Sequence, residues 1–220
     1  MTYQLYIYLA MMIFSGAAFL IGAAKYLKPK KPLYASMIVL GVGCIAIGRL
    51  HSFLRILTGL EVMDIFHVGL LGSFGAFMFF FSSNFGQIDS IVDDGSKTFV
   101  RYRLAGLIGV IVTAGLYAVI LFSAAPAAEI VTDGVVALAI AAASYFHVKH
   151  ILIPDIDYGV VRCQRVYNML ALLYGILCML EMVAVAYNID ILFITVCVLQ
   201  CAVSFSLVIA LDRGVKKWSR

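Results

Sequence analysis

Seven long apolar runs alternate with short polar breaks along the chain, at about residues 3–27, 33–58, 62–84, 104–125, 128–153, 164–187 and 190–212. Each run approaches or exceeds the roughly 20 residues an α-helix needs to cross a bilayer core. Apolar residues are continuous within the runs rather than alternating, which fits spanning helices and not the roughly ten-residue strands of a membrane barrel. The breaks are chemical. Lys28-Pro29-Lys30-Lys31-Pro32 closes the first run, Gly59-Leu60-Glu61 the second and Ala125-Pro126-Ala127 the fourth, each with a residue that stops a helix or holds the chain in the headgroups. The first run lacks a preceding basic segment and is long enough to span, so it reads as a helix rather than a cleaved leader. Only the stretch 86–103 is a long connection. Its charges, Asp89, Asp93, Asp94, Lys97, Arg101 and Arg103, are interleaved with Ile88, Ile91, Val92, Phe99 and Val100. That mixture predicts a surface loop between helices 3 and 4 lying against the membrane, a plain solvated loop being the alternative. The pattern predicts an all-α integral membrane protein, one domain over residues 1–220, built as a bundle of seven transmembrane helices.

Composition narrows the class further. The 220 residues are 64% hydrophobic and only 13% charged, where a soluble domain carries about 25% charged residues. A soluble enzyme, a nucleic-acid-binding domain and a disordered scaffold are thereby excluded. Charge also predicts orientation. Of the 16 Lys and Arg residues, Arg49 and Arg55 lie inside the second run, and the other 14 fall on the face holding the first, third and fifth loops and the C-terminus. The positive-inside rule then puts the N-terminus outside and the C-terminus in the cytoplasm, in a plasma or inner membrane. Attraction of about 1 kcal/mol per basic residue to anionic headgroups accounts for the net charge of +4, so the bilayer is the expected partner and no nucleic acid is.

The five cysteines, Cys44, Cys163, Cys178, Cys197 and Cys201, fall within runs or at their basic edge; an odd count with none in an outer loop argues against a disulfide framework. Cys197 and Cys201 share a helix face and have the softness of metal ligands, but small buried side chains are the plainer reading. Glycine, alanine and serine crowd the first, third and fourth runs, for example Gly69, Gly72, Ser73, Gly75 and Ala76. They predict close helix packing within the monomer, with a homodimer face as the alternative.

Ionisable groups inside a membrane are costly and usually face a bundle interior or an aqueous cavity. Given the predicted orientation, Arg49, His51 and Arg55 of the second run, Asp64 and His67 of the third, Asp133 of the fifth and Glu181 of the sixth all fall in the outer leaflet, with Glu129 at the outer start of the fifth run. His51 and Arg55 are four apart, Asp64 and His67 three apart, Glu129 and Asp133 four apart, so each pair shares a helix face. The set predicts one outward-facing pocket, in which one arginine pairs with Glu181 or Asp133 while the other meets a ligand. Arginine offers a planar fork suited to a carboxylate or phosphate. A closed ion-pair network is the alternative. His51, Asp64 and His67 also supply zinc-type donors, and His51 with His67 a haem-type pair, but the adjacent arginines repel a cation, so neither metal nor cofactor is expected. Gln200 and Asn168 are candidates for the pocket floor. His147 and His150, three apart before Pro154, Asp155 and Asp157, are expected to complement the carbonyls at a helix C-terminus rather than to bind a metal.

Seven spans with an outer N-terminus are the topology of receptors and of microbial rhodopsins, yet the seventh run from Asp190 to Asp212 has no lysine to carry a retinal Schiff base. DRY-like, HExxH-like and glycine-rich phosphate motifs are absent as well. The expectation is a receptor-like or sensor-like protein that binds a small polar or anionic ligand from outside and acts through a cytoplasmic protein partner. The alternatives are an integral membrane enzyme using His51, Asp64 and His67 on a lipid or small substrate, and a small solute transporter.

Overall fold

The fold was obtained as a computed structural model, which describes residues 2–59, 68–88, 99–153 and 160–218. The described chain is helical: α1 (Thr2–Tyr26), α2 (Leu33–Leu57), α3 (Val68–Ser83), α4 (Val100–Leu121), α5 (Ala127–Leu152), α6 (Val160–Ala186) and α7 (Asp190–Trp218), with a π-helical turn, Asn84–Ile88, continuing α3. Six of these helices, all but α3, are long and apolar enough to cross a membrane. The described part of α3 is 16 residues, and the segment before it, with Glu61, Asp64 and His67, lies outside the described residues.

Proline and left-handed residues set the boundaries. Pro32 and Pro126 immediately precede α2 and α5, where the missing N–H costs no helical hydrogen bond. Gly59 follows α2 with φ +71°, the conformation that ends a helix and that glycine alone adopts without strain. Several boundaries differ from the sequence expectation, among them the start of α6 at Val160 rather than about 164. Helix α4 begins at Val100, so Arg101 and Arg103 sit in its first turn rather than in a loop; Arg101 reaches the Tyr102 hydroxyl at 2.9 Å with its guanidinium over that ring. Helix α7 runs to Trp218, held at its end by Asp212, which accepts from Tyr26 (2.9 Å) and pairs with Lys25 (3.3 Å) and Lys216 (2.7 Å).

The packing order is a ring in which α1 touches α2, α2 touches α3, α3 touches α5, α5 touches α6, α6 touches α7 and α7 returns to α1, while α4 leans on α5 and α6. The seam between α2 and α3 is especially tight. A Cβ added to Gly48 would stand 2.5 Å from the carbonyl oxygen of Gly69, and one on Gly72 would stand 2.7 Å from both the carbonyl oxygen of Cys44 and the Cα of Gly48. The small residues of α3 thus serve packing within the chain, as expected. Large apolar side chains such as Ile47, Leu138 and Ile191 are at least 70% exposed, whereas Arg49, Glu181, His147, Asn168 and Gln164 are enclosed with the apolar core at no more than 4% exposure. An apolar outer surface, with the few intramembrane polar groups turned inward, is the arrangement a bilayer solvent favours.

Candidate functional site

Among the described residues, two polar centres are buried in the bundle at different depths. The first joins α2, α6 and α7. Arg49 Nη1 donates to Glu181 Oε1 and Nη2 to Glu181 Oε2, both at 2.6 Å; Nη2 also donates to Gln200 Oε1 at 2.7 Å, and Gln200 Nε2 donates to Glu181 Oε2 at 2.8 Å. A bidentate fork between a guanidinium and a carboxylate is among the strongest side-chain pairings, and Gln200 uses both ends of its amide to complete it. The residues come together because Gly48 lets α2 press against α3 while Arg49, one position on, turns toward α6 and α7. Mutual neutralisation makes the burial tolerable, since either charge alone would be stranded.

Of the other predicted site residues, His51 and Arg55 lie further along α2 and are half-buried. Asp133 is buried on α5, which packs on α3, α4 and α6 rather than beside α2, and its charged neighbours include Glu129 and Glu181. Asp64 and His67 lie outside the described residues. Arg49, Glu181 and Gln200 are therefore drawn together, and among the described residues Asp133, on α5, makes no hydrogen bond or ion pair with them, though Glu181 is one of its charged neighbours. Among the described residues no group of three or more His, Cys, Asp and Glu side chains is disposed to hold a metal. None of the five cysteines is in a disulfide.

The second centre corrects the reading of His147 and His150. Both are fully buried, and their ring nitrogens meet amides across helices rather than crowning the end of α5. His150 Nδ1 lies 3.0 Å from Asn84 Oδ1; His147 Nδ1 lies 3.0 Å from Asn84 Nδ2 and 2.9 Å from Asn168 Oδ1. The cause is packing. The last turns of α5 lie under the α3 extension and α6, so polar side chains there are enclosed by helices instead of reaching water. Asn84, at the start of the π-helical turn, has no sequence signal pointing to it; the wider turn, itself common at functional positions, carries its amide inward. His147 Nδ1 can donate to Asn168 or accept from Asn84, but not both at once, so the tautomer of this imidazole selects whether His147 is bonded to α6 or to the π-helical turn, while His150 stays on Asn84. Gln164 Nε2 donates to the Tyr34 hydroxyl at 3.3 Å nearby. His147 Nε2, Asn168 Nδ2, Tyr167 Oη and Gln164 Oε1 have no hydrogen-bond partner among the described residues, so this centre holds more polar capacity than its own side chains use.

Helix α6 connects the two centres. Gln164, Asn168, Tyr174, Cys178 and Glu181 lie on one buried stripe, and the 13 residues from Asn168 to Glu181 span about 20 Å at 1.5 Å per residue. Aromatic rings fill the interval. Phe77 stacks on Tyr174 with centroids 6.1 Å apart, meets Phe80 edge-on at 5.6 Å, and Phe80 in turn meets Tyr167 at 6.1 Å and His147 at 6.4 Å. No family model, curated protein or solved structure matches this chain.

Proposed function

We propose that the chain is a seven-span, single-domain membrane protein with its N-terminus outside and its basic end in the cytoplasm, and that it works as a receptor-like or sensor-like binder of a small polar or anionic ligand. The observation that carries this reading is the double anchoring of α6: Glu181 ties it to α2 and α7, and Asn168 ties it to His147 of α5. The pair Arg49–Glu181 forms the fixed floor, with Gln200. Arg55 and His51, both half-buried, His51 two and Arg55 six residues beyond Arg49 on α2, supply hydrogen-bond donors, and Arg55 positive charge, to a carboxylate or phosphate, with Asp64, His67 and Asp133 as the remaining polar wall. A ligand held by Arg55 and His51 above the floor shifts α2, the Arg49–Glu181 pair passes the displacement to α6, and it reaches the His147 centre through the aromatic column, where two alternative hydrogen bonds of His147 Nδ1 give a two-state element. The cytoplasmic faces of the helices are the surface for a protein partner.

The test is a thermal-shift panel on the purified full chain in detergent, using small carboxylates and phosphate monoesters as probes. The expected result is a rise in melting temperature with at least one of them, abolished by Arg55→Gln and reduced by His51→Gln. A panel that leaves wild type unshifted, or variants that respond as wild type does, would overturn the reading. The second buried polar centre also favours a small solute transporter, because polar groups recur along α6 on both sides of the aromatic column. Uptake of the stabilising compound into proteoliposomes separates transport from binding alone.

A further inference from the structure

Between the basic ends of α6 and α7 lies a groove of about 390 Å³, lined by Arg162, Val166 and Leu170 from α6 and by Ser206, Ile209, Arg213 and Lys217 from α7. Its polarity is graded along the helix axes. The three cations, all exposed, sit together at one end, and the side chains toward mid-helix are apolar apart from the Ser206 hydroxyl. Lys217 and Ser206 are 11 residues apart, about 16 Å along α7 at 1.5 Å per residue. Among the described residues, no acidic side chain lines the groove. The neighbouring carboxylate, Asp212, is spent on the other side of α7, where it pairs with Lys25 and Lys216 and accepts from Tyr26. Gly214 keeps the two helices close beneath the cations, since a Cβ there would stand 2.6 Å from the carbonyl oxygen of Cys163.

We propose that this groove is a binding site for one anionic phospholipid, its phosphate held by Arg162, Arg213 and Lys217 and an acyl chain lying along Val166, Leu170 and Ile209. A free phosphate would use the cations but has no use for the apolar half, and a zwitterionic lipid would set its own cation against three others. Basic pockets at the membrane-facing ends of helices are suited to such headgroups, and two arginines give the planar forks that phosphate oxygens accept from. The site is separate from the Arg49 and His147 centres, so it stands or falls independently of the sensor reading.

Native mass spectrometry of the full chain, released from nanodiscs of phosphatidylcholine doped with phosphatidylglycerol, tests this. Wild type is expected to retain phosphatidylglycerol selectively. The triple variant R162Q/R213Q/K217Q should retain about a hundredfold less, roughly fivefold for each cation removed from an anionic headgroup. The control K28Q/K30Q/K31Q removes the same charge from the same end of the bundle and should retain the lipid as wild type does. Val166→Trp, which fills the apolar half at an exposed position without changing charge, should also lower retention. Equal losses in the two triple variants would reduce the effect to diffuse surface charge and overturn the site. Displacement of the lipid by inorganic phosphate, or full retention in Val166→Trp, would likewise overturn it by showing that the apolar half is not used.

Discussion

Replacing Glu181 by Gln removes the carboxylate that is set directly against Arg49. The guanidinium makes three hydrogen bonds of 2.6–2.7 Å, two of them to Glu181, and both side chains are about 5% exposed. The amide introduced by Glu181→Gln keeps one acceptor oxygen, so the loss is of the countercharge and of one acceptor, not of shape. Breaking a buried pair by removing one partner costs about 3–5 kcal/mol, because the remaining charge is stranded. Replacing both partners by apolar residues of similar volume, Arg49→Met with Glu181→Met, is often neutral or stabilising by about 1–4 kcal/mol for such pairs. Here the gain is smaller because Gln200 is then left without its two partners, a loss of about 1–3 kcal/mol for a buried polar group. The single variant is therefore expected to be the less stable of the two. Unfolding in mixed micelles, followed by circular dichroism, measures both in one series, and adding the single variants Arg49→Met and Glu181→Met closes the cycle that gives the coupling energy of the pair. A Glu181→Gln cost below about 1 kcal/mol, the level of an exposed ion pair, would refute the reasoning: it would mean that water reaches the guanidinium and the centre is not a closed floor.

Gly48→Ala sets a methyl against the Gly69 carbonyl and the Gly72 Cα and should destabilise by about 1–3 kcal/mol through overpacking, whereas Gly115→Ala, which meets nothing within 4 Å, should be neutral or stabilising in the same unfolding assay. Asn84→Ala strips His147 and His150 of a shared amide and should cost about 1–3 kcal/mol for the polar groups left unsatisfied, with faster hydrogen exchange confined to α3 and α5. Reporter fusions should place a tag after Arg220 in the cytoplasm and one at Pro126 outside; the reverse result would overturn the assignment of which polar centre faces out.

The six long spans are legible because a bilayer enforces length and apolarity on each helix independently, so no tertiary information is needed to find them. Partnership between Arg49 and Glu181 is also legible as one of the offered pairings, since depth and charge place both in one leaflet. The ring order is not, and Asp133, at a similar depth, belongs to a helix on a different wall from α2. Charge misleads at the start of α4: Arg101 and Arg103 read as loop residues, although long basic side chains reach headgroups from a helix as readily as from a loop. The second centre is hidden for two reasons. A 3.6-residue period does not describe the turn that carries Asn84, and histidines near a proline-terminated helix end carry the same pattern whether they meet carbonyls, water or a neighbouring helix.

The proposed sensor requires the Arg55 region to open to the outside while Arg49 is closed off beneath it. A cysteine-free background, with Arg55→Cys or Arg49→Cys introduced singly and a membrane-impermeant thiol reagent applied to intact cells, tests this directly. Labelling of Arg55→Cys from outside is the predicted result, with no labelling of Arg49→Cys while the cells remain intact. Protection of Arg55→Cys in intact cells, with labelling only after the cytoplasmic face is exposed, would contradict it.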